Sequence, residues 1–250
     1  MKKTLIASLL ALTTLSSANA DTILGLYVGA QAWNMEAEGG FAQNDSLSNF
    51  NFDEETNASF YAALEHPIPL IPNIKVARTS FDTAGLATLD ATFTFGDEVF
   101  GVDSRLSTDT ELSTTDYILY YEILDNDLVS IDIGINGKQI DGDFMVVDLD
   151  SNEMSSESFN GILPMAYSRV AVGLPFTGLA IYAEGSYLAI DDNNASDIQA
   201  AITYNFVESL AIDMTIQAGY RSTSIEIEDF EDIFADLEFK GVFVGLEFHF

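Results

Sequence analysis

Long stretches of this chain alternate apolar and polar residues with a period of two. The alternation persists for longer than a soluble strand needs. From Val129 to Lys138, Val129, Ile131, Ile133 and Ile135 share one face, and Ser130, Asp132, Gly134, Asn136 and Lys138 share the other. Between 210 and 221, Leu210, Ile212, Met214, Ile216, Ala218 and Tyr220 oppose Ala211, Asp213, Thr215, Gln217, Gly219 and Arg221. A third run sets Ile198, Ala200, Ile202, Tyr204 and Phe206 against Asp197, Gln199, Ala201, Thr203 and Asn205. Successive side chains of a strand point to opposite faces, so each run predicts a sheet lying between an apolar and a polar environment.

A soluble sandwich produces the same alternation. Three features favour strands in lipid. The runs last about 10 to 13 residues, near the ~9–11 that cross a bilayer at a tilt and above the soluble mode of ~5–6. Aromatics cluster at the ends of the apolar faces, as Tyr204, Phe206, Tyr220, Phe248 and Phe250 do, in the manner of interfacial girdles. The connectors also alternate in length. The expected strands lie near 23–35, 57–66, 74–84, 112–124, 128–139, 161–173, 178–189, 196–207, 209–222 and 238–250. Long connectors are expected near 36–56, 85–111, 140–160, 190–195 and 223–237, and short ones at 67–73, 125–127, 174–177 and 207–208. Within 85–111, Ala91–Phe95 is expected either to extend a strand or to form a small hairpin. The fold expected is all-β: a closed, antiparallel, up-and-down transmembrane β-barrel of about ten strands, with eight to twelve as the range. Closure is required because an open edge in lipid leaves a row of backbone groups unpaired.

The N-terminus carries Lys2 and Lys3, an apolar stretch from Leu5 to about Leu15, and the small-residue sequence Ser17-Ala18-Asn19-Ala20. That pattern predicts a signal peptide over 1–20, cleaved after Ala20, leaving 21–250 as one barrel domain. The chain holds 9 Lys+Arg against 40 Asp+Glu, a formal charge of −31, which excludes a nucleic-acid partner. It has no Cys, so disulfides and thiolate zinc sites are excluded.

The last strand ends on Phe250, with Phe248, Leu246, Val244 and Val242 on the same face. Leu246, Phe248 and Phe250 resemble the terminal signal read by the barrel-assembly machinery. Further segments carry a family resemblance: Gly25-Leu26-Tyr27-Val28-Gly29-Ala30-Gln31-Ala32-Trp33, the turn Glu65-His66-Pro67-Ile68-Pro69-Leu70-Ile71-Pro72-Asn73, and Tyr120-Tyr121-Glu122-Ile123-Leu124-Asp125-Asn126. They are similar to a family of small outer-membrane barrels of marine and related gammaproteobacteria. The resemblance implies an architecture and a bacterial outer-membrane location, with outer-membrane lipid and lipopolysaccharide as surroundings. It carries over no functional residue.

Parity places Asp132, Lys138, Arg169, Glu184, Asp197, Asp213, Arg221 and Glu247 inside the barrel, where they are expected to pair across the lumen. A charge facing lipid costs ~2–4 kcal/mol at the midplane, so parity and energetics agree. Barrels of about eight strands are filled by their own side chains. With Tyr27, Tyr182, Phe239 and Phe243 also pointing inward, the lumen is expected to be mostly filled. The role expected is a structural or surface-interaction one for a monomer. A narrow channel for small solutes or ions is the alternative, followed by an outer-membrane hydrolase and then a soluble periplasmic sandwich. Hydrolase chemistry needs a base, usually His, near the outer rim. The only histidines, His66 and His249, fall at the opposite end, so an enzyme is not expected.

The long connectors are acidic. Glu36, Glu38, Asp45, Asp53, Glu54 and Glu55 occupy 36–56, Asp141, Asp143, Asp148, Asp150, Glu153 and Glu157 occupy 141–157, and Glu226, Glu228, Asp229, Glu231, Asp232, Asp236 and Glu238 occupy 226–238. Loosely bound Ca²⁺ or Mg²⁺ that bridges such loops to lipopolysaccharide phosphate is the one metal expectation; no cofactor is expected. Asp148-Leu149-Asp150-Ser151-Asn152 begins like a calcium loop. Glu153 stands where Gly is needed and Phe159 where the twelfth-position Glu is needed, so the motif fails.

Overall fold

The computed structural model describes residues 24–42, 47–126, 128–190, 193–209, 211–230 and 233–250. The predicted signal peptide lies outside the described residues, as do Asp45, Asp127, Asp191, Asp192, Leu210, Glu231 and Asp232. The described residues form β1 (Gly25–Ala42), β2 (Ser48–Asn49), β3 (Asn51–Phe52), β4 (Glu55–Glu65), β5 (Asn73–Ser80), β6 (Thr83–Thr88), β7 (Phe93–Phe95), β8 (Glu98–Phe100), β9 (Arg105–Asp125), β10 (Val129–Asp148), β11 (Met154–Leu174), β12 (Leu179–Ile190), β13 (Asn193–Val207), β14 (Asp213–Phe230) and β15 (Ile233–His249).

Ten of these close a ring. The order runs β9, β10, β11, β12, β13, β14, β15, β1, β4, β5 and back to β9, every neighbour antiparallel. Leu26 and Phe250 close the seam by exchanging backbone hydrogen bonds of 3.3 and 2.9 Å. β6 continues the line of β5 along β9 after a break at Phe81 and Asp82. The Asn57 side chain spans that break, donating to the Asp82 carbonyl at 2.9 Å and accepting from its amide at 3.2 Å. β7 and β8 form the small hairpin, one of the two outcomes left open for Ala91–Phe95.

Six of the ten strands, β1, β9, β10, β11, β14 and β15, run well past their expected upper ends. β9 and β11 have 21 residues each and β10 has 20. At ~3.3 Å per residue, 20 residues cover ~66 Å of strand, about twice a bilayer crossing. Most of what was expected as long acidic connectors is therefore paired strand. The 140–160 segment is a hairpin whose turn occupies only 149–153, and 223–237 is mostly β14 and β15. The 190–195 connector is reduced to the two residues between β12 and β13.

The physical reason is an inversion of faces part-way up the barrel. On the lower part of β10 the outward residues are apolar: Ile133 is 53% exposed and Ile135 64%. Higher on the same strand the outward residues are Asp141 and Asp143, followed by Met145 and Val147, while Ile140, Phe144 and Val146 point inward and are 4%, 1% and 0% exposed. β1 changes at the same height, from outward Leu26, Val28, Ala30 and Ala32 to outward Asn34, Glu36 and Glu38, with Trp33 and Met35 buried inside. β15 changes between Val242 and Lys240, which stand opposite Asn34 and Glu36. Below this level the sheet has the polarity of a barrel in lipid; above it, that of a soluble barrel around a dry core. The period of two never stops, but the apolar stripe changes sides, so reading strands by an outward apolar stripe ended β1, β9, β10, β11, β14 and β15 too early, while the expected 74–84 strand is broken at Phe81 and Asp82. The lower part is ringed by exposed aromatics, with Tyr121, Tyr204, Phe206 and Phe250 near the short turns and Tyr187 and Tyr220 near the inversion.

The upper lumen is filled by aromatic rings. Phe41 stacks on Phe50 at 4.9 Å between centroids and lies 4.5 Å from Phe144 and 5.2 Å from Phe95. The β7–β8 hairpin supplies Phe93, Phe95 and Phe100, all buried. Its turn needs Gly96 (φ 59°), because a Cβ there would meet Ser155 Oγ at 2.1 Å.

At the tip of the β10–β11 hairpin, the Asp148 carboxylate accepts the amides of Asp150 (2.8 Å) and Ser151 (3.1 Å). The amide of Asp150 first, and then that of Ser151, hold the Asp148 carboxyl below its ordinary 3.8. What looked like the start of a calcium loop is a side-chain cap on a turn. A carboxyl depressed in the folded state contributes stability above its unfolded value and loses it as pH falls through the folded one. Amide exchange at Asp150 and Ser151 is therefore expected to be protected at neutral pH, with protection factors (rates relative to the unstructured chain at the same pH) that fall below about pH 4. Protection that is independent of pH would show that the carboxylate does not hold this turn.

Candidate functional site: the layered lumen

From the inversion level to the short turns the inward positions are mostly polar, with Ile118 and several alanines between them, and the polar ones are sorted into two layers. The upper layer sits directly beneath the aromatic plug. Lys138 of β10, 1% exposed, donates to Asp116 of β9, with Nζ 2.7 and 3.0 Å from its two oxygens, and to Asp197 of β13 at 2.8 Å. Arg221 of β14 grips the same Asp197 with two hydrogen bonds, Nε at 2.8 Å and Nη2 at 2.6 Å. Its Nη1 donates to Thr79 of β5 at 3.1 Å, and Thr223 adds a hydroxyl to Asp197 at 3.1 Å. The guanidinium also lies over Trp33 (5.0 Å to the ring) and Phe81 (5.9 Å), two rings of the plug. Asn136 donates to Asp116 at 2.6 Å and to Ser186 at 3.0 Å. Two cations and two carboxylates from four strands thus tie opposite walls together, with no net charge.

The lower layer is looser and opens toward the short turns. Lys75 of β5 is held by both oxygens of Glu184 at 2.8 and 2.9 Å. Arg169 of β11 stands 3.7 Å from both Asp132 and Glu184. Glu184 also receives Gln199 (2.6 Å) and Tyr167 (3.1 Å). Tyr61 donates to Glu247 at 2.6 Å, Tyr182 to Gln217 at 2.7 Å, and Tyr120 to Glu65 at 2.7 Å. Two adjoining cavities of about 230 and 270 Å³ lie here, sharing Tyr61, Lys75, Arg169, Ala171 and Glu247 as walls. Above them the remaining space shrinks to about 50 Å³ at the upper ion layer.

Of the charged residues expected inside, Asp132, Lys138, Arg169, Glu184, Asp197, Arg221 and Glu247 line this lumen. Asp213 does not join them. It sits at the short-turn rim, where it accepts the Ser209 amide at 3.0 Å and lies 3.7 Å from His249. Parity put it on the correct face, but its place at the end of β14 puts it too low. Asp116 and Lys75, both central to the network, were not singled out. Parity could have found them, since Asp116 precedes outward Tyr117 and Lys75 lies between outward Ile74 and Val76. Leu246 and Phe250 lie on the outward face of β15, and Phe248 shares their parity. His66 and His249 lie at the short-turn end, where His249 stacks on Tyr27 at 4.1 Å. Among the described residues, no group of three or more His, Cys, Asp or Glu side chains could hold a metal ion.

No protein-family model and no curated protein matches the chain. Several solved structures are similar to it. The outer-membrane protease OmpT of Escherichia coli is 8% identical with a TM-score of 0.49, over 93% of this chain and 99% of that one. The transport unit of the autotransporter AIDA-I of Escherichia coli is 9% identical with a TM-score of 0.41, over 96% of each chain. The monoaromatic hydrocarbon channel CymD is 9% identical with a TM-score of 0.33, over 90% of this chain and 87% of that one. The architecture of the present chain rests on its own closed register rather than on these likenesses.

Proposed function

We propose that this chain is an integral barrel of the bacterial outer membrane with a sealed lumen, acting as a structural, surface-interaction protein through the rigid acidic extension above its lipid belt. One observation carries this reading. Two successive barriers, the Lys138–Asp116–Asp197–Arg221 layer and the aromatic plug above it, cross the lumen between the open vestibule and the opposite end. A hydrated ion would have to displace both. Location is supported by the lipid-type polarity of the lower barrel, the N-terminal export pattern and the outward Leu246, Phe248 and Phe250 of the closing strand, which the assembly machinery would read. The extension would stand on the outer face among lipopolysaccharide headgroups. There its excess of Asp and Glu keeps it hydrated and repels its copies, in keeping with a monomer. With both histidines at the far end, the extension offers no imidazole base, which supports a non-enzymatic role.

Planar-bilayer recording tests the sealed lumen. The intact barrel is expected to show no steady conductance. Truncating Arg221 to Ala, which opens the ion layer from below, is expected to leave it closed because the aromatic plug remains. A steady, ohmic conductance of the intact barrel that Arg221→Ala changes would overturn the sealed reading in favour of a narrow channel.

A further inference from the structure

The larger vestibule cavity has an electrostatic imbalance and an unmet hydrogen-bonding need, and neither is explained by a structural role. Its wall holds five carboxylates, from Glu65, Glu122, Asp125, Asp132 and Glu247, against two cations, Lys75 and Arg169. Lys75 is already committed to Glu184, a residue outside that wall. Glu247 and Glu65 each receive a tyrosine hydroxyl. Those donors satisfy lone pairs without neutralising charge. Asp132 is the exception among these acids. It is 3% exposed, its Oδ2 is 3.7 Å from Arg169, and its Oδ1 has no hydrogen-bond partner. A buried carboxylate oxygen without a donor is costly, so such a group calls for a donor from outside the chain. The other walls are largely tyrosine, from Tyr27, Tyr61, Tyr120 and Tyr167. Tyrosine faces in this lumen already hold cations: Lys75 Nζ lies 4.8 Å from the Tyr61 ring and Arg169 lies 5.2 Å from that of Tyr182.

We infer that this vestibule is a binding site for a small aliphatic primary ammonium compound that enters from the short-turn end, places its N–H at the Asp132 carboxylate, whose rotation presents its unpaired oxygen, and rests its methylenes on the tyrosines. The charge class follows from the excess of carboxylates over cations, and the donor from the empty lone pair. The organic class follows from the aromatic walls, which suit a soft cation with an apolar stem, and from the lack, among the described residues, of convergent ligands for a bare metal. A cavity of about 270 Å³ holds roughly nine waters' worth of volume, which is room for a short-chain amine and too little for a peptide. The inference is independent of the surface role proposed above, because it concerns the opposite end of the barrel.

Calorimetric titration of the full barrel in detergent at low ionic strength tests it, with 1,4-diaminobutane as the probe. Neutral 1,4-butanediol, anionic succinate and Mg²⁺ are run in parallel. Saturable binding of the diamine is expected at one per barrel, with no saturable heat from butanediol or succinate and weaker binding of Mg²⁺. Asp132→Asn, which keeps shape and removes charge, is expected to weaken the diamine about tenfold. Glu36→Gln, on the outer extension, is expected to leave it unchanged. If the Asp132 variant fails to fold, as judged by heat-modifiable gel mobility, Glu122→Gln serves in its place with a smaller loss expected. The absence of diamine binding up to about 10 mM, equal binding of butanediol, tighter binding of Mg²⁺ than of diamine, or full affinity in the folded Asp132→Asn variant would each overturn the inference.

Discussion

Asp197→Ala is expected to destabilise the barrel by ~3–5 kcal/mol, the cost of removing one partner from a buried ion pair. Asp197 is shared by Lys138 at 2.8 Å and by both ends of the Arg221 guanidinium, at 2.8 and 2.6 Å. Without it Lys138 keeps Asp116, but Arg221 keeps only Thr79 and the faces of Trp33 and Phe81. A guanidinium 6% exposed would then lack a carboxylate directly beneath an aromatic plug. The cost belongs to the orphaned charge rather than to the lost contact, which gives a second expectation. Removing the pair together, Asp197→Leu with Arg221→Met, should cost markedly less than Asp197→Ala alone. Urea unfolding of barrels folded into lipid vesicles measures both. A loss below about 1 kcal/mol for Asp197→Ala would mean that the layer is hydrated and the seal it forms is weak.

The second large effect tests the inversion of faces on a single strand. Ile135 and Asp143 of β10 have the same parity and both point outward. Ile135→Arg is expected to cost ~2–4 kcal/mol, because at that height the outward side chain meets hydrocarbon. Asp143→Arg is expected to stay within ~0.5 kcal/mol, because eight positions further on the outward side chain meets water. Inward Phe144, 1% exposed among Phe41 and Phe159, should be the opposite of its neighbour Asp143: arginine there would put a charge into a dry aromatic core. The same unfolding assay reads all three. Equal costs at 135 and 143 would remove the boundary and place the whole strand in one solvent.

These two effects bear on function together. The inversion makes the outer part of the barrel a soluble-type body built on a membrane anchor, and the ion layer marks the floor of that body. A protein built this way presents a stiff acidic hairpin surface, with its interior occupied by its own side chains. What space remains faces the other way, into a tyrosine-lined vestibule rich in carboxylates.

The sequence alone determined the lower barrel. Its ten strands, their antiparallel order and the inward parity of Asp132, Lys138, Arg169, Glu184, Asp197, Arg221 and Glu247 follow from a period of two in surroundings where the outward face must be apolar. Lipid imposes that rule on every outward residue, so each one repeats the same message locally. Tertiary structure alone decided the rest. Above the belt, water replaces lipid outside and phenylalanine fills the inside. The alternation then runs with reversed meaning, and acidic residues such as Asp141 and Asp143 look like loop residues until their pairing is known. Which charges meet was equally hidden. Lys138 and Asp197 are 59 positions apart and touch only because the ring closes at a diameter that brings β10 and β13 within one side chain's reach. Periodicity fixes the face a residue is on; height and distance across the lumen arise only once every strand is in register.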